Sequence, residues 1–419
     1  MCFLFVNGQE PRITQKYQGQ SAIAIVPTNS KPTQRQWKGD YTFNNKDVTF
    51  SNNFDGGRLN GIIQENDSTF IALITSENTP VNISPWYAFK VTSKKPKAVY
   101  VMLTYQEGVK HRYYPKYSED GKAWKALDSL NYKEFEKGNA DFGMGSLPLK
   151  IRIKLNVGPR PLWVAGQELQ TSKIVAKWAS DLADKKGITY QSIGESKEGR
   201  NMGLLTLGKE KSKNMMMIIS RQHPPEVTGF LAMKAFVETL ASDTKLAIKF
   251  RKKFAVYVVP LMNPDGVDNG HWRHNMGGVD LNRDWANFNQ PETQAVKKFM
   301  EKKVKQTGGK FYFGIDFHST WDDIYYTIDP NIKGNMPGLV SSWLEAVKEE
   351  IPGYEPNIKP SDKILPTAVS KNYFFATYNA ESLVFEIGDN TPRHFIKEKG
   401  KISAIKLMEL MLRKLKETR

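Results

Sequence analysis

The sequence predicts an α/β fold, a mixed open sheet flanked by helices, preceded by an all-β sandwich domain. Three observations carry this. From about residue 20 to 155, short alternating apolar runs recur between Asn, Asp, Gly and Pro clusters, without helical periodicity. After Val157-Gly158-Pro159-Arg160-Pro161, apolar strand patterns alternate with amphipathic helix patterns instead. Among these, the apolar run from Met215 to Ser220 stops at Arg221-Gln222-His223-Pro224-Pro225-Glu226, and a helical pattern (Val227, Phe230, Leu231, Phe236) follows.

In the first region the strand runs are Ala22 to Val26, Thr69 to Ile74, Trp86 to Val91, Ala98 to Tyr105 and Leu149 to Val157. Asn52-Asn53-Phe54-Asp55-Gly56-Gly57 and Glu119-Asp120-Gly121 supply turns between them. Regular spacing of this kind points to a sandwich. With the Pro/Gly segment as linker, the domains are 1–158 and 159–419. In the second region Thr171 caps a helix from Ser172 to Asp184, and a hairpin pairs Ile188 to Ile193 with Gly203 to Leu207 around Glu198-Gly199-Arg200. Strands Met215 to Ser220, Phe254 to Leu261, Lys310 to Phe317 and Ser382 to Ile387 alternate with helices beginning at Glu226, Pro291 and Gly338. A final helix of about twenty residues closes the chain.

The bulk numbers describe an ordinary globular protein of 419 residues, 40% hydrophobic and 25% charged. No stretch reaches the ~18 apolar residues of a membrane span. The 60 Lys+Arg against 44 Asp+Glu give +16, which invites a nucleic-acid reading. The basic clusters, such as Lys94-Lys95-Pro96-Lys97 and Lys249 to Lys253, carry no stacking or groove-reading motif, so solvated faces explain them and no nucleic-acid partner is expected. The single cysteine, Cys2, excludes an internal disulfide and a thiolate zinc site. The apolar run Cys2 to Val6 is too short for a signal, but suits the tail end of one. The compartment is open, leaning to secreted or periplasmic over cytoplasmic.

A strand feeding a helix puts the intervening turn at the carboxyl edge of an open sheet, where α/β proteins build their sites. Two prolines between His223 and Glu226 fix the backbone that holds both side chains, and these two read as zinc ligands. A catalytic zinc takes three protein ligands and leaves one position open; His2Glu is a known set. The third should come from another strand end, and His318, delivered by Phe311 to Phe317, qualifies. His271 and His274 sit in a Gly- and Asn-rich loop, and His111 and His394 in polar surroundings. The loop from Asn263-Pro264-Asp265-Gly266 to Trp285 holds Arg273, Asn282 and Arg283, groups suited to a carboxylate and a developing oxyanion. Asp280 beside them is placed to accept the second N–H of a zinc-bound His223. Glu386 lies inside the apolar strand Leu383 to Ile387, where a carboxylate costs stability unless it has work.

Taken in order, Ser192 to Arg200, the His-Pro-Pro-Glu turn, Asn-Pro-Asp-Gly, Gly278 to Arg283, His318-Ser319 and Phe385-Glu386 resemble the zinc carboxypeptidase family, relatives of pancreatic carboxypeptidase A, over about residues 165 to 419. The resemblance implies the zinc carboxypeptidase fold, one zinc ion held by His223, Glu226 and His318, and Glu386 as general base. It implies that Arg273 polarises the scissile carbonyl while Asn282 and Arg283 hold the substrate's terminal carboxylate. In the first region Phe50 to Leu59, Trp86 to Val91, Tyr113-Tyr114-Pro115 and Tyr117-Ser118 are similar to the amino-terminal domain of the cytosolic carboxypeptidase branch, whose members remove acidic residues. Two departures stand out. Pro225 replaces the pancreatic arginine before the ligand glutamate. An ungapped count back from Glu386 puts Ile364 where the pancreatic enzymes have a mobile tyrosine, so any phenolic role passes to Tyr373 or Tyr378 or is missing. The same count puts Lys371 at the specificity-pocket position, which would favour a C-terminal Glu or Asp.

The expected function is zinc-dependent hydrolysis of C-terminal residues from peptide or protein partners. A zinc amidase or deacylase on N-acyl amino acids or cell-wall peptides is the enzymatic alternative. A non-catalytic module that grips C-terminal tails is the other. The oligomeric state is not readable.

Overall fold

The computed structural model describes residues 17–19, 33–44, 46–79, 82–139, 145–362 and 368–417. The strand expected at Ala22 to Val26, the apolar run at Cys2 and the position of Ile364 lie outside them.

The chain divides into two units. The first, Met1–Leu169 with Val267–Arg273, is built on two sheets. One has six strands in the order β1 (Asp40–Phe43), β2 (Val48–Ser51), β5 (Ala88–Ser93), β11 (Leu162–Ala165), β7 (Lys116–Ser118) and β8 (Lys125–Ala126). The other has five: β3 (Gly61–Gln64), β4 (Thr69–Ile74), β6 (Lys97–Tyr105), β10 (Ser146–Val157) and β9 (Tyr132–Asn139). Alternation sends Val99, Val101 and Leu103 of β6 and Ile151, Ile153 and Leu155 of β10 inward. They share one apolar core with Phe50, Phe89 and Val164 of the six-stranded sheet.

The domain boundary expected at 158 is corrected. After the Pro/Gly segment the chain makes one more strand, β11, which pairs antiparallel with both β5 and β7. The division falls after Leu169, and Val267–Arg273 rejoins the first unit from far along the sequence.

The second unit holds an eight-stranded mixed sheet: β12 (Ile188–Glu195), β13 (Asn201–Leu207), β15 (Ala255–Val259), β14 (Asn214–Ser220), β16 (Lys310–Thr320), β19 (Glu381–Gly388), β17 (Ile324–Ile328) and β18 (Ile358–Ser361). Its centre, β15-β14-β16-β19, is parallel, which explains why these strands read as continuous apolar runs. Helices connect and cover it: α1 (Ser172–Ala183), α2 (Val227–Leu240), α3 (Lys245–Lys253), α4 (Pro264–Asp268), α5 (Pro291–Thr307), α6 (Leu339–Glu350), α7 (Ser370–Tyr378) and α8 (Arg393–Glu417). Thr171 caps α1 as expected, its hydroxyl accepting from the Ile174 amide. Helix α2 is apolar nearly all round because it is buried between the sheet and α8.

Candidate metal centre

The site lies at the carboxyl ends of three neighbouring parallel strands, the position open sheets reserve for ligands. Strand β14 ends at Ser220, and Arg221 then adopts a left-handed backbone with φ 58°. A non-glycine residue holds that conformation only when its surroundings fix it. Here the Arg221 carbonyl accepts from the Asn263 amide at 3.1 Å, and the guanidinium folds back on the Pro224 carbonyl. The turn is therefore tied at both ends, and it presents His223 and Glu226 on the same side.

His318 arrives on β16, whose register places Phe317 opposite Ser220 of β14. Helix α2 packs its first turn directly on this strand end. The Ser319 hydroxyl accepts from both the Gly229 amide and the Thr228 hydroxyl, each at 2.8 Å, and a Cβ on Gly229 would come within 2.1 Å of the His318 carbonyl oxygen. Glycine is required there by contact, not by backbone conformation.

His223, Glu226 and His318 converge: one donor atom from each lies within 4.8 Å of the others, and all three residues are buried. Glu226 sends one carboxylate oxygen to Nδ1 of His223 and the other to Nδ1 of His318, both at 2.7 Å. The outward nitrogens are engaged as well. Nε2 of His223 meets Asp280 Oδ1 at 3.0 Å, and Nε2 of His318 meets Asp316 Oδ2 at 2.9 Å.

This wiring fits a cation. A neutral imidazole that donates from Nε2 to a carboxylate leaves a bare lone pair on Nδ1. Both lone pairs would then face the Glu226 oxygens, an arrangement that repels unless a proton or a metal ion sits between them. The charges lean the same way. Burial pushes the Glu226 carboxyl up, but the two imidazoles hold it well below the usual carboxylate range. Burial pulls His318 down, yet Asp316 and Glu226 hold its charged form well above the ordinary histidine range. Two inward nitrogens and one carboxylate, with carboxylates behind both histidines, form a site for one zinc ion.

Asp316 was not singled out from the sequence, although the signal was present. Residues two apart on a strand share a face, so an acid at that spacing from a ligand histidine points the same way. Its Oδ2 also accepts from Gln222 Nε2 and Ser370 Oγ, both at 2.5 Å. The Gln222 amide oxygen in turn accepts from the Trp285 indole at 2.8 Å, and Asn282 Oδ1 accepts from the Ser370 amide at 3.0 Å. One buried network thus joins a ligand histidine to the 278–285 loop and to the start of α7.

The other expected residues are placed as follows. Glu386 stands in register with His318 on the adjoining strand β19 and is partly exposed. Asp280 accepts from the Asn282 amide at 2.8 Å while holding His223. Asn282 is buried, and Arg283 donates to its carbonyl at 2.8 Å. Arg273 ends the segment assigned to the first unit, and its backbone amide donates to Glu77 at 2.9 Å. Lys371 is buried near the start of α7, one residue beyond Ser370. Tyr373 and Tyr378 do not suit a phenolic role at the metal. Their hydroxyls meet each other at 3.2 Å, Tyr373 packs against Trp285 and Phe288, and Tyr378 packs on Phe311 at the opposite end of β16 from His318.

Residues 175–373 match the family model for zinc carboxypeptidases (peptidase M14). Among characterised and uncharacterised relatives, the chain is 27% identical over 253 residues to the uncharacterized protein ZMO1242 of Zymomonas mobilis. That match covers 59% of this chain and 63% of the relative. It is 29% identical over 154 residues to mouse cytosolic carboxypeptidase 6, covering 33% of this chain and 28% of that protein. The matched part is thus under two thirds of the length of either relative. In fold, the chain superposes on a metallo-carboxypeptidase from Burkholderia cenocepacia with a TM-score of 0.68 and 18% identity, covering 89% of this chain and 100% of that one. A metallo-carboxypeptidase from Pseudomonas aeruginosa gives 0.67 and 20%, covering 87% and 99%. The family match thus covers just under half of the chain, and the likeness to the two bacterial structures is one of fold.

Proposed function

We propose that the protein is a zinc-dependent metallocarboxypeptidase that removes single residues, preferentially acidic ones, from the C-termini of peptides or proteins. The observation that carries the reading is the pairing of β16 with β19. It brings Glu386, a carboxylate outside the group that could hold a metal, into register with His318, one of the three residues of that group.

His223, Glu226 and His318 would hold the zinc ion, which would supply Lewis acidity toward a water and the scissile carbonyl. Glu386 takes the proton of the attacking water and returns it to the leaving amine. Arg273 donates to the developing oxyanion, for which one donor is typically worth about 3 to 4 kcal/mol. Asn282 and Arg283 hold the terminal carboxylate and so define the bond that is cut.

The acidic preference rests on Lys371. Among the described residues, its ammonium donates to neutral oxygens, Asn372 Oδ1 at 2.9 Å and the Thr327 carbonyl at 3.4 Å. Burial brings its pKa down to about 8. That departure corresponds to on the order of 3 kcal/mol of destabilisation at neutral pH. A buried cation of this kind is relieved by an anionic guest, and a Glu or Asp side chain is the guest a carboxypeptidase pocket would meet.

A mixed peptide library read as C-terminal ladders by mass spectrometry tests the proposal. The expected products lack one C-terminal Glu or Asp, and a chelator stops their formation. Glu386→Gln should keep one zinc and lose about 10²- to 10⁴-fold in turnover. Full activity in that variant, or cleavage confined to N-acyl amino acids, would sink the reading.

A further inference from the structure

Lys399 is a charged group that the chemistry above does not use, and it is wholly buried. Helix α8 carries it against the sheet, where its ammonium lies 4.5 Å from the ring centre of Tyr354 and 5.0 Å from those of Tyr325 and Phe385. Ring faces attract a cation, but a buried charge also needs a counter-charge. Asp323 supplies it, with Oδ2 at 2.5 Å from Nζ. Burial pulls the ammonium down, yet Asp323 and Tyr354 hold it above the ordinary lysine range.

The other oxygen of Asp323 faces the strand that carries Glu386. The pairing of β17 with β19 stops at Ile324 opposite Glu386. Asp323, the next residue outward, continues the ladder with its side chain: Oδ1 accepts from the Gly388 amide at 2.7 Å and from the Thr391 hydroxyl at 3.3 Å. The fit is close, since a Cβ on Gly388 would lie 3.0 Å from Thr391 Oγ1 and 3.1 Å from Asp322 Cα. On the other side of Glu386, the Phe385 ring lies between Tyr325 at 4.6 Å and Phe317 at 5.0 Å, with the Lys399 ammonium against it. One cation thus touches the residue before Glu386 directly and holds the amide two residues after it through Asp323.

We propose that Lys399 and Asp323 are positioning residues for Glu386, which they keep from standing at a frayed strand end. Lys399 holds Asp323 in place, and Asp323 holds the end of β19 in register. The inference rests on the carboxypeptidase reading and on the role given there to Glu386. A misplacement of about 1 Å in a reacting group costs on the order of 10²-fold in rate.

The test uses the full chain with its zinc and two double variants that both delete the charge pair. Lys399→Met with Asp323→Asn keeps a carbonyl oxygen for the Gly388 amide, and Lys399→Met with Asp323→Ala does not. The first should keep kcat near that of the wild type. The second should lose about 10- to 100-fold in kcat with KM and zinc affinity unchanged, and its Gly388 amide should exchange hydrogen faster. Equal kcat in the two would overturn the proposal, because the pair would then serve only to fasten α8 to the sheet. So would a loss of kcat matched by a loss of zinc affinity. That result would mean a shift of α8 against α2, where a Cβ on Gly400 would come within 2.6 Å of the Ala232 carbonyl oxygen. Should a double variant fail to fold, Asp323→Glu keeps the ion pair and displaces the acceptor by one methylene. It should lower kcat at constant zinc affinity, and unaltered kcat rejects the proposal. A wild-type protein without hydrolytic activity would sink the carboxypeptidase reading alone. The Gly388 exchange rates then decide the anchoring by themselves, and equal protection in the two double variants rejects it.

Discussion

His223 and His318 are ligands because of the atoms behind them as much as the lone pairs in front. Asp280 and Asp316 accept from the two Nε2 atoms, select the tautomer and turn both Nδ1 atoms inward. Asp280→Asn and Asp316→Asn should each weaken zinc binding about 10- to 100-fold, measured by competition with a chromogenic chelator. Unchanged affinity in both would mean that the rings are held by packing alone. Lys371 gives a second expectation at this scale. Burial lowers its folded pKa to about 8, below the ordinary lysine value. The ammonium is therefore present below pH 8 and lost above it. KM for peptides ending in Glu should rise above about pH 8, while KM for apolar C-termini stays level. In the same window the unfolded chain binds more protons than the folded one, so this lysine's destabilising contribution fades as pH rises from about 8 to about 10.5. Lys371→Ile should abolish the proposed acidic preference, and a pH-independent ratio of the two KM values would remove Lys371 from the proposed pocket.

At the level of elements, the centre of the site is a contact between helix α2 and strand β16. Gly229 lets the helix approach until a Cβ would meet the His318 carbonyl, and backbone cannot yield as a side chain tip can. Gly229→Ala should lower the melting temperature and zinc affinity together, through displacement of the helix that carries Glu226 at its entry. A stability loss with normal zinc affinity would show that β16 moves away and the ligands do not. The same scale shows where sequence patterns fail. The strands β14, β15, β16 and β19 are apolar runs bounded by turn residues, and they were readable. Helix α7, Ser-Lys-Asn-Tyr-Phe-Phe-Ala-Thr-Tyr, has no apolar stripe because most of its length is buried, so periodicity is silent. The short strands β17 and β18 draw their identity from pairing with β19 and with each other, which no local signal records.

In the whole molecule, zinc would link residues from two points of the chain, the 223–226 turn and His318, with Glu386 brought in from a third. Binding to the folded form alone adds stability as RT ln(1 + [L]/Kd), about 4 kcal/mol when free zinc is 1,000 times Kd. Chelation should therefore lower the melting temperature by several degrees, and adding zinc back should restore it; an unchanged transition would mean the ligand geometry persists without help from the metal. The net charge of +16 does not say where the cations sit, and Lys303, Lys371 and Lys399 are buried. Charge alone gave no sign that Lys371, one lysine among many, would be buried.

By itself the sequence determined the donors and their supports: a strand stopped by His-Pro-Pro-Glu, a second strand ending in His318, and a glutamate inside a third. These follow from local pattern, since an apolar run bounded by polar residues dictates where a strand ends and what its end presents. Tertiary structure alone decided which imidazole nitrogen faces inward, that Asp316 joins His318 to Ser370 and Asn282, and that Val267–Arg273 belongs with the sandwich across almost a hundred intervening residues of the other unit. Each of these depends on hydrogen bonds between groups distant in the chain. Such bonds are set by packing, so they leave no periodicity for a sequence to display.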